Sequence, residues 1–163
     1  MTAQYLWLIR HAHTKNARLG ETDHQRELSA RGVLQTQAMQ QWLNQQINKG
    51  DSVNIVCSSA IRTQQTLQHC LPTLSNDAEI NDRLYNAYFE ELLDELTTAC
   101  LAFSKHTILI GHNPSISQLA SYLSNQTSNN LTFGFSLNTG CIIGFIGNGE
   151  PIAKNWQQYL KNF

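Results

Sequence analysis

The chain predicts an α/β sandwich with a mainly parallel central sheet, and three short apolar runs carry that prediction. Residues 5–9 (Tyr-Leu-Trp-Leu-Ile), 53–57 (Val-Asn-Ile-Val-Cys) and 107–110 (Thr-Ile-Leu-Ile) are each followed by a polar turn and then by a helical pattern. Runs of this kind, bounded by turn signals, read as strands buried in a parallel sheet. The alternation of strand and helix along the chain then gives helices on both faces, a three-layer α/β/α sandwich. At 163 residues the chain is expected to form a single domain, residues 1–163, long enough to bury a real core.

The elements follow in order. Residues 5–10 form the first strand, with a polar loop after it to about Arg26. From Ser29 to about Asn48 a helix is expected. Leu34, Ala38 and Trp42 recur at helical spacing with Met39, Leu43 and Ile47 beside them, Ser29 serves as N-cap and Gly50-Asp51 ends the segment. Residues 53–57 are the second strand, and the helix after it carries Ile61, Leu67, Cys70 and Leu71 before Pro72. Residues 78–81 form a short strand. From about Tyr88 to Phe103, the residues Phe89, Leu92, Leu93, Leu96, Cys100 and Leu101 mark an amphipathic helix. Residues 107–111 are the third core strand. Asn113 caps a helix whose first residue is Pro114, where a missing N–H does no harm, and Ile116, Leu119, Ala120 and Leu123 form its inner face. Residues 126–130 read as a polar loop, 131–137 and 141–146 as further strands, and 156–160 as either strand or helix.

Composition narrows the functional classes. The chain is 41% hydrophobic and 14% charged with a formal net charge of −1, so no global field favours nucleic acid or a membrane surface. No basic stripe interleaved with aromatics points to nucleic acid either. No apolar run reaches the roughly eighteen residues of a membrane span, and no basic segment precedes an apolar stretch at the N-terminus. The four cysteines, Cys57, Cys70, Cys100 and Cys141, include no C-x-x-C pair, which fits buried free thiols in a reducing compartment better than zinc or disulfides. A cytoplasmic protein is expected.

In parallel α/β sheets ligands sit beyond the carboxyl ends of the strands. Here those ends deliver Arg10-His11, then Ser58-Ser59 with Arg62 in the first turn of a helix, then Gly111-His112. An arginine buried at a strand end needs an anion, and the nearest loop carboxylates, Glu21, Asp23 and Glu27, come well downstream. Arg62 stands where free N–H groups and the helix dipole also favour an anion. Each residue alone has an ordinary reading: a structural arginine, a core histidine, a solvated helix arginine, a turn histidine. Their joint occurrence after every strong core strand argues for one anion-binding crevice with imidazole chemistry.

This constellation resembles the histidine phosphatase superfamily, the group of the phosphoglycerate mutases and the small SixA-like phosphohistidine phosphatases. The family's Arg-His-Gly appears as Arg10-His11-Ala12, its Ser-(Ser/Pro)-x-x-Arg-(Ala/Thr)-x-x-Thr as Ser58-Ser59-Ala60-Ile61-Arg62-Thr63-Gln64-Gln65-Thr66, and its Gly-His-Asn-Pro as residues 111–114. Residues 26–32 are similar to the family's Arg-Pro-Leu-Thr-x-x-Gly turn, and Leu84-Tyr85 with Glu91-Leu92-Leu93 to a stretch of the small bacterial members. The resemblance implies a phosphoglycerate mutase-like fold and a phosphohistidine intermediate on His11, with Arg10, Arg62 and His112 binding and stabilising the transferring group and no metal or cofactor required. His11 must be neutral to attack, and two nearby guanidinium charges favour that form. Ser58 and Asn16 are candidate substrate contacts; His13 and Asn16, close behind the nucleophile, read first as solvated loop residues and only second as pocket lining. Larger members of the family place an acid ahead of an Arg-x-Tyr element. By that match Asp82 is the candidate general acid, with Glu90 and Glu91 as alternatives, and a phosphoramidate substrate could dispense with one. The expected partner is a phosphorylated protein, including one phosphorylated on histidine, or a small phosphomonoester.

Three other readings compete. His11-x-His13 is similar to the metal-binding start of some hydrolases, but two-metal chemistry needs more ligands at later strand ends, where only His112 qualifies. A phosphoprotein-binding module without turnover would keep the same arginines. A mutase must shield His11 from water, and the short segments 16–25 and 74–88 offer little chain for a lid, which favours an open pocket and hydrolysis.

Overall fold

The computed structural model describes residues 4–100, 102, 104–127, 136–147 and 157–163. Six strands form one sheet: β1 (Gln4–Arg10), β2 (Val53–Ser58), β3 (Glu79–Asn81), β4 (His106–Gly111), β5 (Cys141–Gly147) and β6 (Gln157–Asn162), in the spatial order β3-β2-β4-β1-β5-β6. β3, β2, β4 and β1 are parallel; β5 runs antiparallel to β1, and β6 antiparallel to β5. Four α-helices lie among the described residues: α1 (Ala30–Gln46), α2 (Ile61–Cys70), α3 (Phe89–Cys100) and α4 (Ser115–Thr127).

The core lies on both faces of the sheet because alternate residues of each strand point opposite ways. On one face Leu6, Leu8, Leu109, Ile143 and Phe145 pack with Leu92 and Leu96 of α3 and Leu119 and Leu123 of α4. On the other, Trp7, Ile9, Ile55, Ile108 and Ile142 pack with Met39 and Leu43 of α1 and Leu67 and Cys70 of α2. Each fully buried large side chain contributes about 1.5–3 kcal/mol. That double burial is why the central strands carry no polar alternation, and it makes the three-layer architecture the expected one.

Ser29 caps α1 as expected, its Oγ accepting from the Gly32 amide at 3.1 Å. The buried stripe of α1 keeps Met39 and Leu43 of the expected face, with Trp42 packed beside them, but leaves out Leu34. It runs through Gly32, Gln35, Thr36, Met39 and Leu43, while Leu34 is 66% exposed. Gly32 explains the rotation: a Cβ there would lie 2.1 Å from the His13 carbonyl oxygen, so α1 packs with its bare glycine against the loop after β1. That orientation turns Gln35, a polar residue, inward to serve the same loop.

The last helix also departs from expectation. It begins at Ser115 rather than Pro114, and Asn113 is not its cap: its amide Nδ2 donates to Ser136 Oγ and the Leu137 carbonyl, and its Oδ1 accepts from the Ser117 hydroxyl. Asn113 therefore ties β4 to the segment before β5. Residues 126 and 127 belong to α4 rather than to a loop, and residues 157–162 settle as strand β6. The strand expected at 131–137 falls mostly on 131–135, outside the described residues; residues 136–138 have no regular structure.

Among the described residues no helix is long and apolar enough to cross a membrane. The four cysteines are free thiols. Burial pushes Cys57 up to about 12 and Cys100 and Cys141 up to about 11, and it raises Cys70 as well, so none is a reactive thiolate.

Candidate active site

Strand register assembles the site. β1 and β4 are paired with Arg10 opposite Gly111, so the next residue of each chain segment, His11 and His112, emerges side by side at the carboxyl end of the sheet. The His11 amide donates to the Gly111 carbonyl at 3.2 Å, and the two imidazole centroids are 5.2 Å apart. β2 ends in the same crevice with Ser58, whose Oγ lies 2.7 Å from His112 Nε2. α2 starts three residues later and brings Arg62, buried at 5% exposure, in its first turn.

The loop after β1 is fixed from three sides. The Ala12 amide donates to Thr66 Oγ1 at 3.1 Å, the His13 amide to Gln35 Oε1 at 2.8 Å, and the His11 carbonyl accepts from the Gly140 amide at 3.0 Å. Thr66 is one helical turn beyond Arg62, which gives the Arg-x-x-x-Thr spacing a physical reason. One side of the turn supplies a cation and the next holds the nucleophile's loop. Gln35 also donates to the Thr139 carbonyl at 2.9 Å, so a residue of α1 joins both segments that border His11.

His11 Nδ1 lies 2.9 Å from the carbonyl oxygen of Ala12. A carbonyl only accepts, so Nδ1 carries the hydrogen and Nε2 keeps its lone pair. Burial, opposed by that hydrogen bond and assisted by Arg62, Arg10 and Arg26, lowers the His11 pKa to about 4. Burial, together with His11 and Arg62, lowers His112 to about 3 against the opposing pull of Asp23. Both imidazoles are neutral at pH 7. Two polar atoms in the crevice, Arg10 Nε and His112 Nδ1, are buried with no hydrogen-bond partner among the described residues. Arg10 spends Nη1 on the Leu137 carbonyl at 2.6 Å.

The structure thus brings Arg10, His11, Ser58, Arg62 and His112 together. It does not bring in the others. Asn16 is exposed in the loop, Asp82 is exposed at the start of the 3-10 turn Asp82–Leu84, and Glu90 and Glu91 are exposed on the first turn of α3, where Glu91 caps the Tyr88 amide at 2.8 Å. His13 turns away to Ser29, its Nδ1 being 2.8 Å from Ser29 Oγ.

Sequence reasoning passed over Asp23, which it set aside as too far downstream to pair with Arg10. Asp23 pairs with Arg62 instead: Arg62 Nη2 donates to its Oδ2 at 2.9 Å and Nη1 to its carbonyl at 2.6 Å. Arg26 Nη1 donates to Oδ1 at 3.1 Å, and the Tyr85 hydroxyl to Oδ2 at 3.1 Å. Burial alone would raise this carboxyl, but the bonds and charges of Arg26, Arg62 and Tyr85 outweigh it and hold Asp23 at about 2. The available signal was the spacing Asp23-x-x-Arg26 just ahead of the cap at Ser29. Among the described residues no group of three or more His, Cys, Asp or Glu side chains could hold a metal ion.

Comparison with known proteins gives this arrangement its context. The chain is 29% identical over 115 residues to an uncharacterized protein of Mycobacterium leprae, a match that covers 66% of this chain and 64% of that protein; the chain thus spans less than two thirds of the length of this curated relative. Its fold is similar to that of a candidate phosphohistidine phosphatase SixA from Nakamurella multipartitia (TM-score 0.79, 25% identity, 99% of this chain and 97% of the other). It is also similar to the protein histidine phosphatase SixA complexed with tungstate (TM-score 0.75, 19% identity, 96% of both chains). The family profile of the histidine phosphatase superfamily, branch 1, matches residues 6–104, a range that contains Arg10, His11, Ser58 and Arg62 and stops short of His112. With the strand-end crevice supplying His112 from beyond the matched range, the chain belongs to the histidine phosphatase superfamily.

Proposed function

We propose that the chain is a phosphatase that takes the phosphoryl group onto His11 Nε2 and releases it to water, without a metal ion, and that its substrate is a phosphohistidine on a protein. The observation that carries the proposal is the pair of unpartnered buried atoms, Arg10 Nε and His112 Nδ1, beside a neutral imidazole with a free Nε2. Leaving a buried polar group unsatisfied costs about 1–3 kcal/mol. A phosphoryl group, with three acceptor oxygens, relieves that cost at both atoms.

In this reading the Ser58 hydroxyl donates to His112 Nε2, which places the hydrogen on Nδ1 and aims a donor at the substrate. Arg10 and Arg62 supply fixed charge. His11 Nε2 attacks phosphorus in line with the leaving group while these donors follow the charge on the equatorial oxygens. The low pKa of His11 keeps the nucleophile unprotonated at neutral pH. Water then cleaves the P–Nε2 bond. The likeness to SixA proteins supports phosphohistidine as the substrate and a phosphorylated protein as the partner.

Intact mass spectrometry after brief incubation with a phosphohistidine-bearing protein tests the proposal. The expected result is an acid-labile adduct of one phosphoryl group, formed in excess chelator and absent in His11→Ala. An adduct from small phosphomonoesters but none from the phosphoprotein overturns the substrate assignment. No adduct from any donor overturns the mechanism.

A further inference from the structure

Among the described residues, Asp23 is the one carboxylate bonded to a side chain of the crevice. Its position is unusual for a pocket built for a phosphoryl dianion, since a fixed negative charge there repels the substrate's own charge. Three features say what it does. His11 is buried at 8% exposure at the floor of the crevice, so a leaving group in line with its attack must depart toward solvent. The Asp23 side chain is 52% exposed and therefore reachable from that side, while Arg62 behind it is 6% exposed. Finally, Asp23 engages two of the five N–H donors of Arg62, one through its carboxylate and one through its backbone carbonyl, so the acid and the cation are held as one unit at the crevice.

We infer that Asp23 is a specificity-determining residue that favours a nitrogen leaving group over an oxygen one, by accepting the N–H of the departing imidazole as an ionised carboxylate. The inference rests on the phosphohistidine reading above. In a phosphorylated imidazole one ring nitrogen bears phosphorus and the other can bear a proton. A carboxylate facing that second nitrogen stabilises the protonated, cationic ring. When His11 Nε2 forms its bond to phosphorus, the P–N bond breaks, and its electron pair stays on the ring. The ring leaves as neutral imidazole because the other nitrogen already holds its proton. Water then adds hydroxide to phosphorus, a proton passes to solvent, and the lone pair returns to Nε2. No proton donor is needed in the site, which suits a carboxyl held ionised by its neighbours. For a phosphate ester the same carboxylate faces a departing oxyanion and gives no help.

The titratable and charged groups around Asp23 are Arg62 from α2, Arg26 and His24 from its own loop, Tyr85 after the Asp82–Leu84 turn, and His112 across the crevice. The cations among them hold Asp23 ionised through the working pH range, so any pH dependence it creates appears in the substrate's ring.

The test compares wild type with Asp23→Asn on two probes, phosphoimidazole and p-nitrophenyl phosphate. For phosphoimidazole, kcat is expected to fall about 10- to 100-fold in the variant. The basic limb of its pH profile is expected to move down by about one unit, because the bound ring loses its counter-charge. The ester is expected to change far less, and Asp23→Glu to recover part of the phosphoimidazole rate. A melting curve of each variant reports separately whether it is folded. Equal losses on both probes with no shift of the basic limb would show that Asp23 only positions Arg62, and would overturn the inference alone. Wild-type activity on the ester with none on phosphoimidazole would remove the phosphohistidine reading itself, and this inference with it.

Discussion

His106 opens strand β4 and His112 follows its end, so the same strand carries a buried histidine at each edge of the sheet. Their surroundings are opposite. His106, fully buried, uses both ring nitrogens: Nδ1 accepts from Trp7 Nε1 at 3.1 Å and Nε2 donates to Asp51 Oδ2 at 3.1 Å, while Tyr5 stacks on the ring at 4.9 Å. Lys105 Nζ completes the group on Asp51 at 2.8 Å. His112, nearly as buried at 6% exposure, has one nitrogen on Ser58 and the other on nothing among the described residues. A closed network adds stability, and an open one holds a place for a ligand. The lesson is that burial alone does not separate a structural histidine from a functional one; the count of satisfied nitrogens does.

Substitutions sharpen the contrast. The largest effect is expected at the open end: His11→Ala should lower kcat by about 10⁴-fold or more, because it removes the attacking nitrogen, with little change in thermal stability, because the ring's hydrogen bond reaches only the carbonyl of the next residue, Ala12. Steady-state assays on any accepted phosphoryl donor, with a melting curve alongside, check both halves. Arg62→Ala should follow with a loss of about 10²–10³ in kcat, read in the same assay.

The closed end should behave the other way. His106→Ala strips partners from Trp7 and Asp51 and leaves a cavity, which is expected to destabilise by about 2–4 kcal/mol and to lower Tm by roughly 4–16 °C. Its kcat at 25 °C should stay within about twofold of wild type. A large loss of activity at unchanged Tm would break the comparison. Gly32→Ala links the two regions, since its Cβ meets the His13 carbonyl two residues beyond the nucleophile. It should cost about 1–3 kcal/mol by crowding and lower activity in the same variant.

The smallest and most graded effect is that of pH. His11 and His112 titrate in the folded protein at about 4 and about 3, and burial also lowers His106, against an ordinary histidine value near 6.5. The unfolded chain therefore takes up protons first as pH falls. The stability these groups support is complete above about pH 6.5 and is lost progressively toward pH 4. Thermal melts from pH 8 to pH 4 should show Tm falling across that window. The acid limb of kcat/KM should lie near pH 4 rather than 6.5, because the free enzyme keeps His11 neutral down to its lowered pKa.

Much of the molecule was legible in its sequence. The three core strands and the capped start of α1 follow from apolar runs and turn residues within a few positions of one another. Arg10, His11, Arg62 and His112 were legible for the same reason: each sits at the end of a strand or the start of a helix, where local pattern places it. The errors share a cause as well. The inner face of α1 was read correctly at Met39, Leu43 and Trp42 but misjudged at Leu34, because a leucine weighs more in a periodicity than Gly32, whereas packing at the start of the helix is decided by the bare glycine that lets it approach the His13 carbonyl. Asn113 was read as a cap because its partners, Ser136 and Leu137, are remote in sequence.

The amino-acid sequence by itself thus determined the layers, the three core strands and the arginines and histidines that reach the carboxyl edge of the sheet, because hydrophobic periodicity and turn chemistry act over a few residues. Only the tertiary structure decided the pairings. Asp23 meets Arg62 across 39 positions, Gln35 meets Thr139 across 104, and Trp7 meets His106 across 99. Those partners are chosen by how helices seat on the sheet. In that geometry His106 is satisfied at both nitrogens, while His112 has no partner for Nδ1 among the described residues.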